Sequence, residues 1–199
     1  MYAVLHIADF DLHAVLRNEP GVSCRPAALV TAVRRKSVVL AANPAARSHG
    51  IEAGMPAPQA MARCPGLVIR TPDEAAGTDA RAALLAAGFM LSPTIEDTAA
   101  GVCTIDLKGG DPAKVGPAAT AAIAELAQLG LPATAGIAAT PLLALYAARA
   151  AVQDLSPSSF PPPLPAAEVP ASHITHHASR IPHHASRIPH PAAAPLHIT

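Results

Sequence analysis

The chain opens on a run that is apolar at nearly every position, YAVLHI from Tyr2 to Ile7, and the run closes on two carboxylates, Asp9 and Asp11. Tyr2, Val4 and Ile7 favour a strand. A run apolar on both faces predicts a central strand covered on both sides, with Asp9 where it reaches the surface. Carboxylates at the end of a core strand suit a hard divalent cation, which needs rigidly placed oxygens. The plainer alternative is a strand turning into a helix, with Asp9 or Asp11 as its N-cap.

The pattern after that strand predicts a series of short elements. Residues 12–18 read as a helix broken by Pro20 and Gly21. Residues 27–33 and 37–42 are β-branched apolar runs around Arg34, Arg35 and Lys36, which predicts a hairpin with a basic tip. Asn43-Pro44 starts a turn, residues 45–49 make one helical turn closed by Gly50, residues 55–64 form a second short helix and 67–70 a strand. Residues 73–91 place Ala76, Ala80, Ala83, Leu84, Ala87 and Met90 at helical spacing. Strands at 94–97 and 102–107, joined through Ala99-Ala100-Gly101, precede a helix at 112–129, a strand at 132–138 and a helix at 141–152. The order predicts an α+β fold: an antiparallel-containing sheet backed by helices, with a small α/β unit inserted at about residues 12–72.

Composition divides the chain. Ten of its 22 prolines and seven of its ten histidines follow Ser156, where HASRIPH occurs twice in tandem, at 177–183 and 184–190. Such a segment buries too little apolar surface to offset its ordering entropy, so residues 1–155 are expected to fold and 156–199 to form a disordered low-complexity tail. The abrupt repeat is also what a shifted reading frame or a truncated gene would leave. With no Trp and 3% aromatics, the core must be packed from Ala, Leu, Val and Ile. Cys24, Cys64 and Cys103 lack CxxC spacing and fit a reducing cytoplasm; Cys103 reads as a small core residue, and His6 as a satisfied core histidine. Nothing reads as a secretory signal or a membrane span.

The formal net charge of zero conceals an asymmetry. Residues 12–70 carry eight basic against two acidic side chains, a local +6, whereas residues 71–155 carry four against nine, a local −5. The first segment suits a polyanionic partner.

Residues 41–67, AANPAARSHGIEAGMPAPQAMARCPGL, resemble the fingers segment of Y-family translesion DNA polymerases of the UmuC type. YAVLHIADFD is similar to the family's opening palm strand, and GIAATPLLALYAARAA at 136–151 to its late palm motif. The resemblance implies a ferredoxin-like palm with inserted fingers. It also implies two-metal phosphoryl transfer, with ions held by a first-strand Asp and an Asp-Glu pair on the central hairpin. Asp9 matches the first, and is the one residue left as a metal ligand, a weak one. The hairpin pair falls on Gly101 and Val102, neither of which binds metal.

Arg47 matches the triphosphate-binding Arg, with Pro44 in place of its companion Tyr; Pro141 and Leu145 stand where the late motif has lysines. No catalytic set is intact, so no cofactor is expected, or Mg²⁺ if any activity remains. Arg34, Arg35 and Lys36 are candidates for the DNA backbone. The combination looks like the ImuB-type branch, polymerase-like proteins of damage-induced (SOS) mutagenesis. That implies a non-catalytic adaptor in DNA repair, with weak backbone contact to DNA and links to the sliding clamp, an error-prone polymerase or RecA-like mutasome partners. The thumb that should follow Leu155 is not read in this sequence. Two alternatives stand beside it: an active polymerase with a site rebuilt from Asp9, Glu96 and Asp106, or a protein-interaction module without a nucleic-acid role.

Overall fold

The computed structural model describes residues 1–31 and 37–154. These all lie within one compact unit, Met1–Pro161. Arg34, Arg35, Lys36 and the repeat-bearing segment lie outside the described residues.

Four strands make the main sheet: β1 (Tyr2–His6), β5 (Ile95–Ala99), β6 (Val102–Asp106) and β7 (Thr134–Ala138), in the order β5-β6-β1-β7 with every pair antiparallel. The opening run is central, as its apolar pattern required: Ala3, Val4 and Leu5 are fully buried. Alternation sorts the two faces. Ala3, Leu5, Cys103 and Ile105 pack under α5 (Glu74–Phe89) and α6 (Pro112–Gln128) through Ala80, Leu84, Ala87, Ala122 and Leu126. Val4 and Val102, on the other face, pack under α7 (Pro141–Asp154) through Ala144 and Ala148. With α5 leading into β5 and α6 joining β6 to β7, this is the ferredoxin-like arrangement.

Small residues set the interlayer distances. At Gly136 a Cβ would lie 2.0 Å from the Ala144 carbonyl oxygen and 2.4 Å from the Ala148 nitrogen, so the α7 backbone rests directly on β7. At Gly88 a Cβ would lie 2.8 Å from Cys103 Sγ, so there α5 rests on a side chain of β6 rather than on its backbone.

The inserted unit follows α1 (Phe10–Leu16). It holds α2 (Pro20–Ser23), β2 (Ala27–Val30), β3 (Val39–Ala42), α3 (Pro44–Arg47), α4 (Ala57–Arg63) and β4 (Val68–Arg70). Its sheet runs β3-β2-β4, with β2 antiparallel to β3 and parallel to β4, over a core of Ala28, Val39, Ile51 and Ala60. The predicted hairpin is therefore present, with strands shorter than their apolar runs. The first helix does end before Pro20-Gly21, at Leu16, but these residues also begin a helix of their own, α2, because proline is tolerated in the first turn of a helix, where its missing N–H has no intrahelical partner to lose. Met90, expected on the buried face of α5, is its C-cap and is largely exposed. The helix ends before that position can turn inward.

Candidate functional site

The end of β1 is the meeting point of the palm-like sheet and the inserted unit. Asp9 sits at the N-cap of α1 with φ 47° and ψ 44°, in the left-handed region. Its carbonyl oxygen accepts from the backbone N–H of Leu12 (2.9 Å) and His13 (3.2 Å), but its carboxylate makes no cap hydrogen bond. A side-chain N-cap ordinarily has an extended backbone, so the left-handed one releases the carboxylate outward. The N-cap reading of Asp9 thus holds for its backbone only.

The freed carboxylate accepts from the guanidinium of Arg47. Arg47 ends α3, a single turn fixed by Asn43. The Oδ1 of Asn43 accepts from Ala46 N (2.9 Å) and Ala27 N (3.0 Å), and its Nδ2 donates to the Arg25 carbonyl (2.7 Å). Asn43-Pro44, read as a turn, is thus a helix cap that also ties α3 to β2. The resemblance of Arg47 to a triphosphate-binding Arg did not include this partner.

The hairpin between β5 and β6 turns through Ala100 and Gly101. Gly101 has φ 73°, and its carbonyl accepts from Ile7 N at 2.8 Å. A Cβ there would lie 2.6 Å from the Ile7 carbonyl oxygen and 2.8 Å from Phe10 Cβ. The hairpin tip is therefore sealed backbone to backbone against the segment that carries Asp9. Val102 stands opposite His6 and is buried with Val4, Ala144 and Ala148.

Glu96 and Asp106 lie elsewhere. Asp106 pairs with Tyr2, four residues along the strand from the His6–Val102 pair, or ~14 Å at strand spacing. Its carboxylate accepts from Lys108 N at 2.9 Å. Glu96 stands opposite Thr104. Asp11 lines a different cavity of about 420 Å³, with Asp73, Glu74 and Arg81.

Two histidines flank Asp9, and sequence reading gave neither a role in the site. Burial holds His13 below the ordinary imidazole value, with Asp9 opposing the shift and Arg47 adding to it. His13 follows Asp9 by four residues on α1, a helical spacing that could have marked it. Burial also lowers His6, with Arg149 adding and Asp9 opposing. His6 is not the satisfied core histidine expected: its Nδ1 is buried and has no hydrogen-bond partner.

Two-metal chemistry needs several carboxylate oxygens around ions ~3.5–4 Å apart. The junction offers Asp9, already paired with Arg47, beside a glycine and a valine. Among the described residues no three His, Cys, Asp or Glu side chains group to hold a metal. The residues present do not fit a two-metal centre. The cavity at Asp9 and Arg47, walled by Leu40, Ala42 and Ile51, holds about 150 Å³. Typical small-molecule sites run from ~300 Å³ upward. Among the described residues no helix is long and apolar enough to cross a membrane.

Comparison with solved structures places this geometry. The chain is similar to DinB from Sulfolobus solfataricus, at 19% identity and a TM-score of 0.66, covering 75% of this chain and 46% of that one. It is similar to the insertion ternary complex of Dbh DNA polymerase, at 19% identity, TM-score 0.67 and the same coverage. The Y-family DNA polymerase chimera of Dbh and Dpo4 gives 19% identity and a TM-score of 0.65. The chain spans less than half the length of these structures. No curated protein matches it at a significant level. The profile of the IMS family, described as impB/mucB/samB, matches residues 5–149. A match over most of the chain, on a palm and fingers fold that the solved structures share, makes this chain a member of the impB/mucB/samB family.

Proposed function

We propose that this protein serves DNA damage tolerance as a polymerase-like scaffold that contacts primed DNA without extending it. The observation that carries this reading is Gly101. Where the family's metal-binding hairpin belongs, the tip is a glycine turn packed on the Ile7 carbonyl, with no room for a side chain. Val102 beside it is buried in an aliphatic cluster. Asp9 and Arg47 neutralise each other. A polymerase site rebuilt from Asp9, Glu96 and Asp106 draws no support from the strand register, which sets Thr104, the partner of Glu96, and Asp106 two and four residues along the sheet from the His6–Val102 pair at the end of β1 that leads to Asp9.

Family membership favours DNA as the partner, met mainly through its backbone by the basic segment 12–70. No resident cofactor is needed for such a role. A reducing cytoplasm suits its three free thiols. An ImuB-type adaptor would also engage a sliding clamp and an error-prone polymerase.

The test pairs two assays on the full chain. With Mg²⁺ or Mn²⁺ and dNTPs, a primed template should not be extended. Fluorescence anisotropy should show binding to the same template that weakens steeply with salt. Extension abolished by Asp9→Ala would overturn the scaffold reading in favour of a polymerase. No binding even at low salt would favour a module without a nucleic-acid role.

A further inference from the structure

The two outer strands of the main sheet are built differently. Among the described residues no strand pairs with the outer side of β5 or of β7. β5 exposes Glu96 and Asp97, and charge on an edge strand guards it against pairing with another chain. β7 reads Thr-Ala-Gly-Ile-Ala and carries no charge. Gly136 faces α7, so by alternation Ile137 stands on the opposite face, where it is 39% exposed.

α7 continues this uncharged edge. A Cβ on Gly136 would lie 2.9 Å from Ala147 Cβ, which puts Ala147 on the β7 side of the helix. Leu143 and Ala150, four residues before it and three after, share that flank. All three are exposed, Leu143 at 55%. Leu145, on the other flank, packs inward with Tyr2, Val4 and Val102, and Arg149 follows it there one turn later. The flank beside the open edge is thus a row of Leu, Ala and Ala with no charge.

We propose that a second copy of this chain covers this edge. A two-fold axis at Gly136 joins β7 to β7 antiparallel and makes the two four-stranded sheets one. A two-fold interface sets a surface against itself, so the surface must be self-complementary in charge and shape. Along the strands Ala135 stands opposite Ile137 of the other copy, and no like charges meet. Above them the helices run antiparallel and cross at Ala147, so each Leu143 lies against Ala150 of the other copy, a large side chain over a small one. Ala144 and Ala148 pack inward onto Val4 and Val102, which sets each helix back from the edge. About two strand spacings, ~9.5 Å, then separate the helices, an ordinary distance for a packed pair. A phosphate backbone finds no cation on this flank. The pairing is separate from Asp9 and Arg47 and does not depend on whether the protein extends DNA.

Sedimentation equilibrium of the full chain in reductant tests this, and a concentration-dependent monomer–dimer equilibrium is expected. Leu143→Lys and Ala150→Glu each put a charge into the helix crossing and should weaken dimerisation by about tenfold or more. Leu142→Lys, exposed on α7 but off that flank, should not. The double variant Leu143→Lys, Ala150→Glu sets opposite charges against each other across the axis, so it should recover most of what either single change lost. That recovery separates a broken interface from a damaged fold.

Ala147→Cys in a Cys24→Ser background carries the test if a charge variant does not fold, because mild oxidation should trap two copies through the residue at the axis. A chain that stays monomeric at every concentration overturns the proposal and leaves the edge to a strand of another protein. A dimer unchanged by both single variants, a double variant no better than the singles, or an Ala147→Cys chain that does not cross-link overturns it as well.

Discussion

The Asp9 carboxylate accepts from the Arg47 guanidinium, joining the end of β1 to the last turn of α3 across 38 positions of sequence. The Arg47 side chain is half exposed and that of Asp9 is 30% exposed, and pairs that water reaches contribute little because it screens them. A double-mutant cycle with Asp9→Ala and Arg47→Ala, read by urea denaturation, should give a coupling of about 0.2–1 kcal/mol that shrinks as salt is added. A coupling of several kcal/mol would make the pair a structural anchor instead.

Putting the acidic pair back should harm the fold without creating an enzyme. Gly101→Asp must accept φ 73° and drive a Cβ into the Ile7 carbonyl. Val102→Glu must bury a carboxylate among Val4, Ala144 and Ala148. Each belongs to the class of change that destabilises by about 2–4 kcal/mol. Denaturation should show that loss in each single variant, and primer extension by the double variant should stay at background. A stable, active double variant would mean that the tip can rearrange.

Two glycine-to-alanine changes should have opposite signs. At Gly136 the added methyl meets the α7 backbone at 2.0 Å, so Gly136→Ala should cost about 3 kcal/mol or more, or prevent folding. At Gly77, inside α5, nothing lies within 4 Å of the added methyl, so Gly77→Ala should stabilise by about 0.5–1 kcal/mol. Thermal melts of the two variants check both the sign and the contrast.

Acid should weaken the protein through His6 and His13. Both are held below the ordinary value of 6.5, first by burial, so the unfolded chain takes up protons that the folded one refuses. Their contribution is therefore fully present above pH 6.5 and declines as pH falls from there toward the lower folded-state values. The urea midpoint should drop across that window, and the drop should flatten in a His6→Gln, His13→Gln variant. An equal slope in that variant would assign the effect to other groups.

Thiol chemistry should separate the three cysteines. Cys24 is exposed, whereas Cys64 and Cys103 are buried. Burial, aided by the Asp97 charge, pushes the Cys103 thiol up to about 11. Since the thiolate is the reactive form, one equivalent of a disulfide reagent should react quickly at neutral pH, and the other two only in denaturant. Cys24→Ser should remove the fast phase.

The order of elements, α2 apart, and the centre of the sheet were legible in the chain alone. An apolar run on both faces has no stable place except between two layers, and β1 lies there. The helical spacing of Ala76, Ala80, Leu84 and Ala87 likewise fixed the buried side of α5. The chemical identities of Gly101 and Val102 were enough to say that no metal ligands stand there.

Tertiary structure decided the rest, because it depends on contacts between distant residues. Local propensity at Asp9 allows an N-cap, but the left-handed backbone and the approach of Arg47 turn its carboxylate away. Nothing near Gly101 in sequence tells that Ile7 lies against it. Arg17 reads as one more charge at a helix end until packing shuts its Nε off from solvent. Burial and pairing of polar groups arise only when the layers pack, so periodicity finds the core of this protein and leaves its sites to the fold.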